Sequence, residues 1–254
     1  MVDFPDRRLV AGATESVERP LLSVLIAVYN GAPYLGEALE SVYQQEYRPL
    51  EVVVVDDGST DGSAAIARGY GDRLVYAYQE NAGDGSARNH ATRLASGELL
   101  AFLDADDRFT PSRLERMYAA LVADPGLDMV FGHVHEFLSP ELTEAERAGI
   151  RPPADGATAW LAPGGMVIRR ESFDRVGPFV ESLRLGAVVD WCGRAADAGL
   201  RSEVIPDVVL ERRLHLTNTT LVSTEHRANY IDVVKAALNR RRALAQEAED
   251  PSAS

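Results

Sequence analysis

Lysine and cysteine are almost missing from this chain. Lys235 is the one lysine among 26 basic residues, and Cys192 is the one cysteine in 254 residues. A lone cysteine excludes an intramolecular disulfide framework and fits a reducing compartment, so a cytoplasmic location is expected. Long apolar runs are missing too. No stretch of about 18 apolar residues occurs, which excludes a transmembrane helix. The opening MVDFPDRRLVAG has no apolar segment long enough for a secretory signal. Positive charge is in short supply: 39 acidic residues against 26 basic ones give a net charge of −13. That argues against a nucleic-acid partner, which needs clustered positive charge, and against a general attraction to anionic lipid. The scarcity of lysine against many arginines reads as compositional bias.

What is present is ordinary for a globular protein. The apolar share is 46% and the charged share 26%, enough for one large domain or one domain plus an extension. An acidic protein can still hold a phosphate-bearing ligand, but it then needs a local device, most often a divalent cation.

The first 125 residues alternate short apolar, β-branched runs with helical spacing. Residues 23–28, 51–55 and 99–103 read as buried strands, 74–78 as a strand, and 129–131, extending toward 137, as a further one. Between them, residues 33–45, 86–96 and 111–123 read as helices, the second closed by Gly97. This alternation predicts an α/β fold with a parallel sheet flanked by helices. Later residues are less regular. Residues 139–158 are expected to form a loop or a short excursion, 162–169 a strand, 171–176 a short helix, 188–198 a helix closed by Gly199, and 204–210 a strand. A long helix is expected over 224–248, ending in the basic run Arg240 to Arg242.

In such sheets, ligands sit at the carboxyl ends of the parallel strands. Three of these ends carry polar clusters: Tyr29-Asn30, Asp56-Asp57 and Asp104-Ala105-Asp106-Asp107. Any one of them is most simply a turn or a helix cap; three along one chain favour a shared site. In extended chain, Asp104 and Asp106 would point the same way, roughly 6–7 Å apart. Hard oxygen ligands of this kind suit Mg²⁺ or Mn²⁺.

The stretches SVLIAVYNGAPYLGEALESVYQQ, EVVVVDDGSTDGS and NAGDGSARNHATRLASGELLAFLDADD, in this order and spacing, resemble the family 2 glycosyltransferases. The resemblance continues through GGMVIRRESFDRVGPF to RRLHLTNTT. It implies a GT-A type mixed, mostly parallel sheet flanked by helices, with a Rossmann-like nucleotide-binding half over residues 21–220. Residues 1–20 are then a flexible lead-in, and 221–254 a C-terminal helix and tail. It also implies a metal-dependent transferase moving a sugar from a nucleotide sugar, a UDP-sugar, to an acceptor the sequence does not name, with inversion. Ala27 and Tyr29 match the cradle of the base, with Tyr29 stacking on it, and Asp57 matches its hydrogen-bonding partner. Asp56 only orients the loop. Arg88 matches a cation near the donor nucleotide. Asp104 matches a residue that binds ribose or a metal-bound water. Asp106 and His215 match metal ligands, for Mn²⁺ ahead of Mg²⁺. Arg212, Arg213, Asn218 and Thr219 flank His215 and are candidates to close over the diphosphate.

One departure stands out. The family's pattern G-E-D-x-x-L-x-x-R, counted back from Arg194, puts its acidic pair on Ala187-Val188. The nearest carboxylate is Asp190, either a displaced catalytic base or a helix-first-turn acid; Glu181, Glu136 and His135 come next. His133 and His135 flank Val134 and would share one strand face. Trp191 and Cys192 are expected in a core face. Two other functions remain open: a non-catalytic nucleotide-sugar-binding protein, given Ala187-Val188, and a sugar nucleotidylyltransferase, disfavoured because AVYNGAPYLGE lacks that class's basic glycine-rich signature.

Overall fold

The structure is a computed structural model in which residues 18–183 and 186–218 are described. The expected helix over 224–248, its basic end, and Thr219 lie outside them. In chain order the elements are β1 (Leu22–Val28), α1 (Leu35–Tyr43), β2 (Leu50–Asp57), α2 (Ser63–Arg68), β3 (Val75–Gln79), α3 (Asp84–Leu94), β4 (Leu99–Asp104), β5 (Arg108–Phe109), α4 (Arg113–Ala123) and β6 (Met129–Leu138). They continue with α5 (Glu144–Gly149), β7 (Thr158–Ala159), β8 (Met166–Arg169), α6 (Arg170–Val176), α7 (Ala187–Asp197) and β9 (Ser202–Leu214).

The strands form one mixed sheet in the order β3-β2-β1-β4-β8-β6-β9-β5, with β7 paired to β6. Strands β1 to β4 pair parallel, as the strand-helix alternation predicts. The direction reverses at β8, which runs antiparallel to both β4 and β6. A long parallel ladder between β6 and β9 carries a bulge around His133. Along β1 the side chains alternate between two cores. Val24, Ile26 and Val28 pack with α1 and α4 through Leu35, Leu39 and Met117. Leu25 faces the other way, with Val53, Phe102, Phe173 and Trp191, under α3, α6 and α7. Burial on both faces explains why these strands read as unbroken apolar runs. Among the described residues, no helix is long and apolar enough to cross a membrane.

Several local expectations shift. Gly97 does not cap α3, whose C-cap is the extended Ala95. A Cβ at Gly97 would lie 2.5 Å from Ser23 Oγ and 2.7 Å from Leu21 O, so glycine is needed there for close approach to β1. Its N–H donates to Ser23 Oγ at 2.8 Å, and Ser23 bonds Glu51 on β2. The supposed loop 139–158 contains α5, opened by a capping box in which Thr143 and Glu146 bond each other's backbone N–H. The lead-in is docked from residue 18 onward: Arg19 pairs with Glu115 at 2.6 Å and lies over the rings of Tyr47 and Tyr118. Gly199, at φ +69°, ends α7 as expected.

Candidate active site

The carboxyl ends of β1, β2 and β4 lie side by side, with Ala27 between Val55 on β2 and Asp104 on β4. Tyr29, just past β1, is 57% exposed. Asn30, with φ +50°, ties the β1 and β2 loops together: its Oδ1 accepts from Thr60 N at 2.8 Å, and its N–H donates to Ser59 Oγ at 2.9 Å. Asp56 is fully buried, accepting from Ser59 N and the Tyr76 hydroxyl, which is the loop-orienting role expected of it.

Asp57 is buried as well. Its Oδ1 accepts from Gln79 Nε2 at 2.8 Å and Ala82 N at 2.9 Å, and its Oδ2 from Gly83 N at 2.9 Å. Gln79 is steadied by His90 Nδ1, 2.9 Å from its Oε1. A carboxylate offers about four lone-pair sites, so these three donors leave about one for a ligand N–H.

Arg88 is buried on α3, with Nη2 2.5 Å from Asp104 Oδ1 and Nη1 3.0 Å from Asp84 Oδ2. Nη1 makes no aligned hydrogen bond, so one buried donor of the guanidinium is unsatisfied. Burial works against the Arg88 charge, but Asp84 and Asp104 outweigh it and the net shift is upward. Arg88 joins Asp84 to Asp104, and Asp57 accepts from Ala82 and Gly83 N–H just before α3, so the ends of β2 and β4 and the start of α3 meet at one crevice. The 11-residue helix α3 begins at this crevice, where the N–H groups of its first turn have no partner within the helix.

Asp104 and Asp106 do not share an extended chain. Asp104 closes β4, and the chain then turns, with Asp107 N bonded to Asp104 O at 3.0 Å. The turn draws Asp104, Asp106 and Asp107 together, so that carboxylate oxygens from all three lie within 4.8 Å of one another. Asp107 is 4% exposed, and burial together with the charges of Asp106 and Asp104 holds its carboxyl well above the usual range. Three crowded carboxylates with hard oxygens are a donor set that a divalent cation would relieve. His215 Nε2 lies 2.9 Å from Asp106 Oδ2, and Asn218 Nδ2 donates to the same oxygen at 3.1 Å. The ring of Tyr34 packs against His215 at 4.6 Å.

The other residues near the β9 end are already engaged. Arg213, 1% exposed, bonds Asp106 O, Ser139 Oγ and Glu37, so it braces the Asp106 turn and is not available to close over a diphosphate. Arg212 pairs with Glu136 at 2.8 Å and lies over Trp160. His133 and His135 stay apart from the carboxylate cluster, the one metal-competent group among the described residues. Trp191 is core, with Nε1 bonded to Gly177 O.

Asp190 sits in the first turn of α7, 3% exposed, and its Oδ2 accepts from Arg194 Nε at 2.8 Å. Arg194 also bonds the carbonyls of Val176 and Pro178, so the pair staples α7 to the preceding turn. To act as a base, Asp190 would first have to leave Arg194. Sequence reasoning missed Asp107, visible as the third acid of Asp-Ala-Asp-Asp, and Asp84, visible as an acid one turn before Arg88. It had no signal for Tyr34.

The family model described as glycosyl transferase family 2 matches residues 23–177. The Haloferax volcanii glycosyltransferase AglE is 35% identical over 202 residues, covering 75% of this chain and 66% of the relative. An uncharacterised glycosyltransferase of Rickettsia typhi is 45% identical over 96 residues, but the match covers only 38% of this chain and 30% of the relative. Among solved structures, Staphylococcus aureus TarS (residues 1–349) with UDP-GlcNAc aligns with TM-score 0.67 and 22% identity, over 84% of this chain and 65% of that one. The mannosyltransferase PcManGT from Pyrobaculum calidifontis, in complex with GDP-Man and Mn²⁺, aligns with TM-score 0.59 and 28% identity, over 80% and 59%. The sheet order, the strand-end carboxylates and these matches converge: the chain belongs to glycosyl transferase family 2.

Proposed function

We propose that the chain transfers a sugar from a nucleotide-sugar donor, a UDP-sugar, to a hydroxyl-bearing acceptor. The observation that carries this reading is the crevice itself: Asp57, Arg88, Asp104, Asp106 and Asp107 converge at the ends of three parallel strands beside the start of α3. Tyr29 stacks on the base, and the remaining lone pair of Asp57 accepts its imide N–H. Arg88 and the N–H groups of α3 face the diphosphate. Asp106 and His215, with Asp104 and Asp107 beside them, hold Mn²⁺ or Mg²⁺. When bound, that cation neutralises the diphosphate and the charge it gains on leaving. The mannosyltransferase relative with GDP-Man and Mn²⁺ supports both the donor class and the ion. Direct displacement by the acceptor oxygen would invert the anomeric centre.

Thermal melting with UDP, GDP and ADP, each with and without Mn²⁺, tests the reading, since ligands that bind the native state raise the melting temperature. A UDP shift that exceeds the other two and needs Mn²⁺ is expected. Equal shifts for all three would remove the uridine assignment, and none would remove the donor site. A second reading, a donor-binding protein without transfer, draws on Ala187 and Val188 standing where an acidic pair is implied; release of UDP from a UDP-sugar separates the two.

A further inference from the structure

A hydroxyl acceptor must lose a proton as it attacks, and few carboxylates beside this crevice are available to take it. Asp190 is buried against Arg194. Glu136 is buried between Arg151 and Arg212. Asp84 is paired with Arg88. Ala187 and Val188 carry no proton acceptor. Glu181 differs from all of these: it is exposed, makes no ion pair among the described residues, and is nevertheless held in place. Asn89 Nδ2 donates to its Oε1 at 2.9 Å, and Ser86 Oγ lies 3.3 Å from its Oε2. Both partners are on α3, in the same turn as Arg88.

The support behind Glu181 is rigid. Asn89 is 3% exposed and bonds both the N–H and the carbonyl of Phe179, each at 2.9 Å. Phe179 packs on Phe102, Phe173 and Trp191. A Cβ on Gly85 would meet Ala187 Cβ at 3.3 Å and Phe179 Cβ at 3.5 Å, so the first turn of α3, the Glu181 loop and the start of α7 are in mutual contact. Arg88, next to Asn89 in the chain, lies over the Phe179 ring at 5.9 Å and reaches Asp104.

We propose that Glu181 is the general base of the transfer, a role that rests on the donor reading above. The acceptor O–H bond breaks and its proton passes to Glu181 Oε2. The acceptor oxygen bonds to the anomeric carbon, and the bond from that carbon to the diphosphate oxygen breaks, its electron pair leaving on the diphosphate. Water can take the acceptor's place, giving free sugar and UDP.

Water therefore serves as a probe that needs no knowledge of the acceptor. The experiment follows UDP release from UDP-GlcNAc and UDP-glucose with Mn²⁺, and binding of the same donors by calorimetry, in wild type and in Glu181→Gln. Glutamine can keep the Asn89 and Ser86 contacts, so the fold should be retained, and thermal melting checks this. Glu181→Asp, which keeps the carboxylate on a shorter stem, is the second variant. Glu181→Gln should release UDP at least about 100-fold more slowly, the usual span of a general base being 10²–10⁴, with unchanged donor affinity. Azide needs no deprotonation, so azide-driven UDP release should be equal in wild type and Glu181→Gln. Equal hydrolysis by the two proteins would overturn the proposal, as would an equal fall in the azide reaction or a wild type that binds donor yet never exceeds the metal-only blank. Failure of wild type to bind any donor would instead remove the donor reading, and this role with it.

Discussion

The parallel half of the sheet, β1 to β4, and the region from β6 to β9 handle acidic residues in opposite ways. In the first, acids gather: Asp84, Asp104, Asp106 and Asp107 crowd a crevice in which Arg88 is shared by Asp84 and Asp104. In the second, the buried acids and several at the surface are matched to arginines. Glu136 has Arg151 and Arg212, Asp190 has Arg194, Asp128 has Arg175, and Asp207 has Arg116. An acid excess held in place is a site for a cation and an anionic ligand; a matched acid is a fastener. By this contrast the first half is the place for the donor site proposed above, and Glu136 and Asp190 belong to its frame.

The largest expected effect comes from breaking a fastener. Asp190→Ala strands the half-buried Arg194 charge and should lower stability by roughly 3 kcal/mol in a urea melt, the low end for a broken buried pair. A variant with wild-type stability and a collapsed turnover would return Asp190 to the catalytic role. Next is the crevice: Asp106→Ala should weaken Mn²⁺ binding by more than about 100-fold, beyond the 10–100-fold typical of groups one shell further out, with the melting temperature of the apo protein preserved. Asp57→Ala should weaken UDP binding by about 1–3 kcal/mol in calorimetry, the range for an unmade buried hydrogen bond. The smallest effect is one of pH. The hydrogen bonds and charge of Arg151 hold the Glu136 carboxyl down at about 2, against an ordinary 4.5, with Ala154 N and Arg212 adding to this and burial opposing it. A depressed acid stabilises the fold above its ordinary value and loses that contribution as pH falls from about 4.5 toward about 2. Glu136→Gln should therefore flatten the acid limb of stability over that window while leaving neutral-pH nucleotide binding untouched.

The same contrast explains what could be read from sequence. Strands β1, β2 and β4 are buried on both faces, so their apolar runs stand out, as do the acids Asp57 and Asp104 that end β2 and β4. The shape of the acid cluster was not legible: two acids two residues apart suggest an extended pair, whereas the Asp104–Asp107 turn recruits a third carboxylate. In the second half, the matching of arginine to acid depends on contacts between residues far apart in the chain. Arg213 looked like a phosphate donor and is instead the brace between Glu37, Ser139 and the Asp106 turn. The helix α5 was legible in principle, since Thr143 and Glu146 spell a capping box, but the surrounding prolines and charges masked it.

Mn²⁺ titration followed by electron paramagnetic resonance tests the central claim most directly, because the signal of the free ion is lost on binding. On the proposed reading cation and diphosphate share one site, so UDP should tighten Mn²⁺ binding, and Mn²⁺ should tighten UDP binding by the same factor, as linkage requires. Asp106→Ala should abolish that coupling. Mn²⁺ affinity that is the same with and without UDP, in a protein that binds both, would contradict the account.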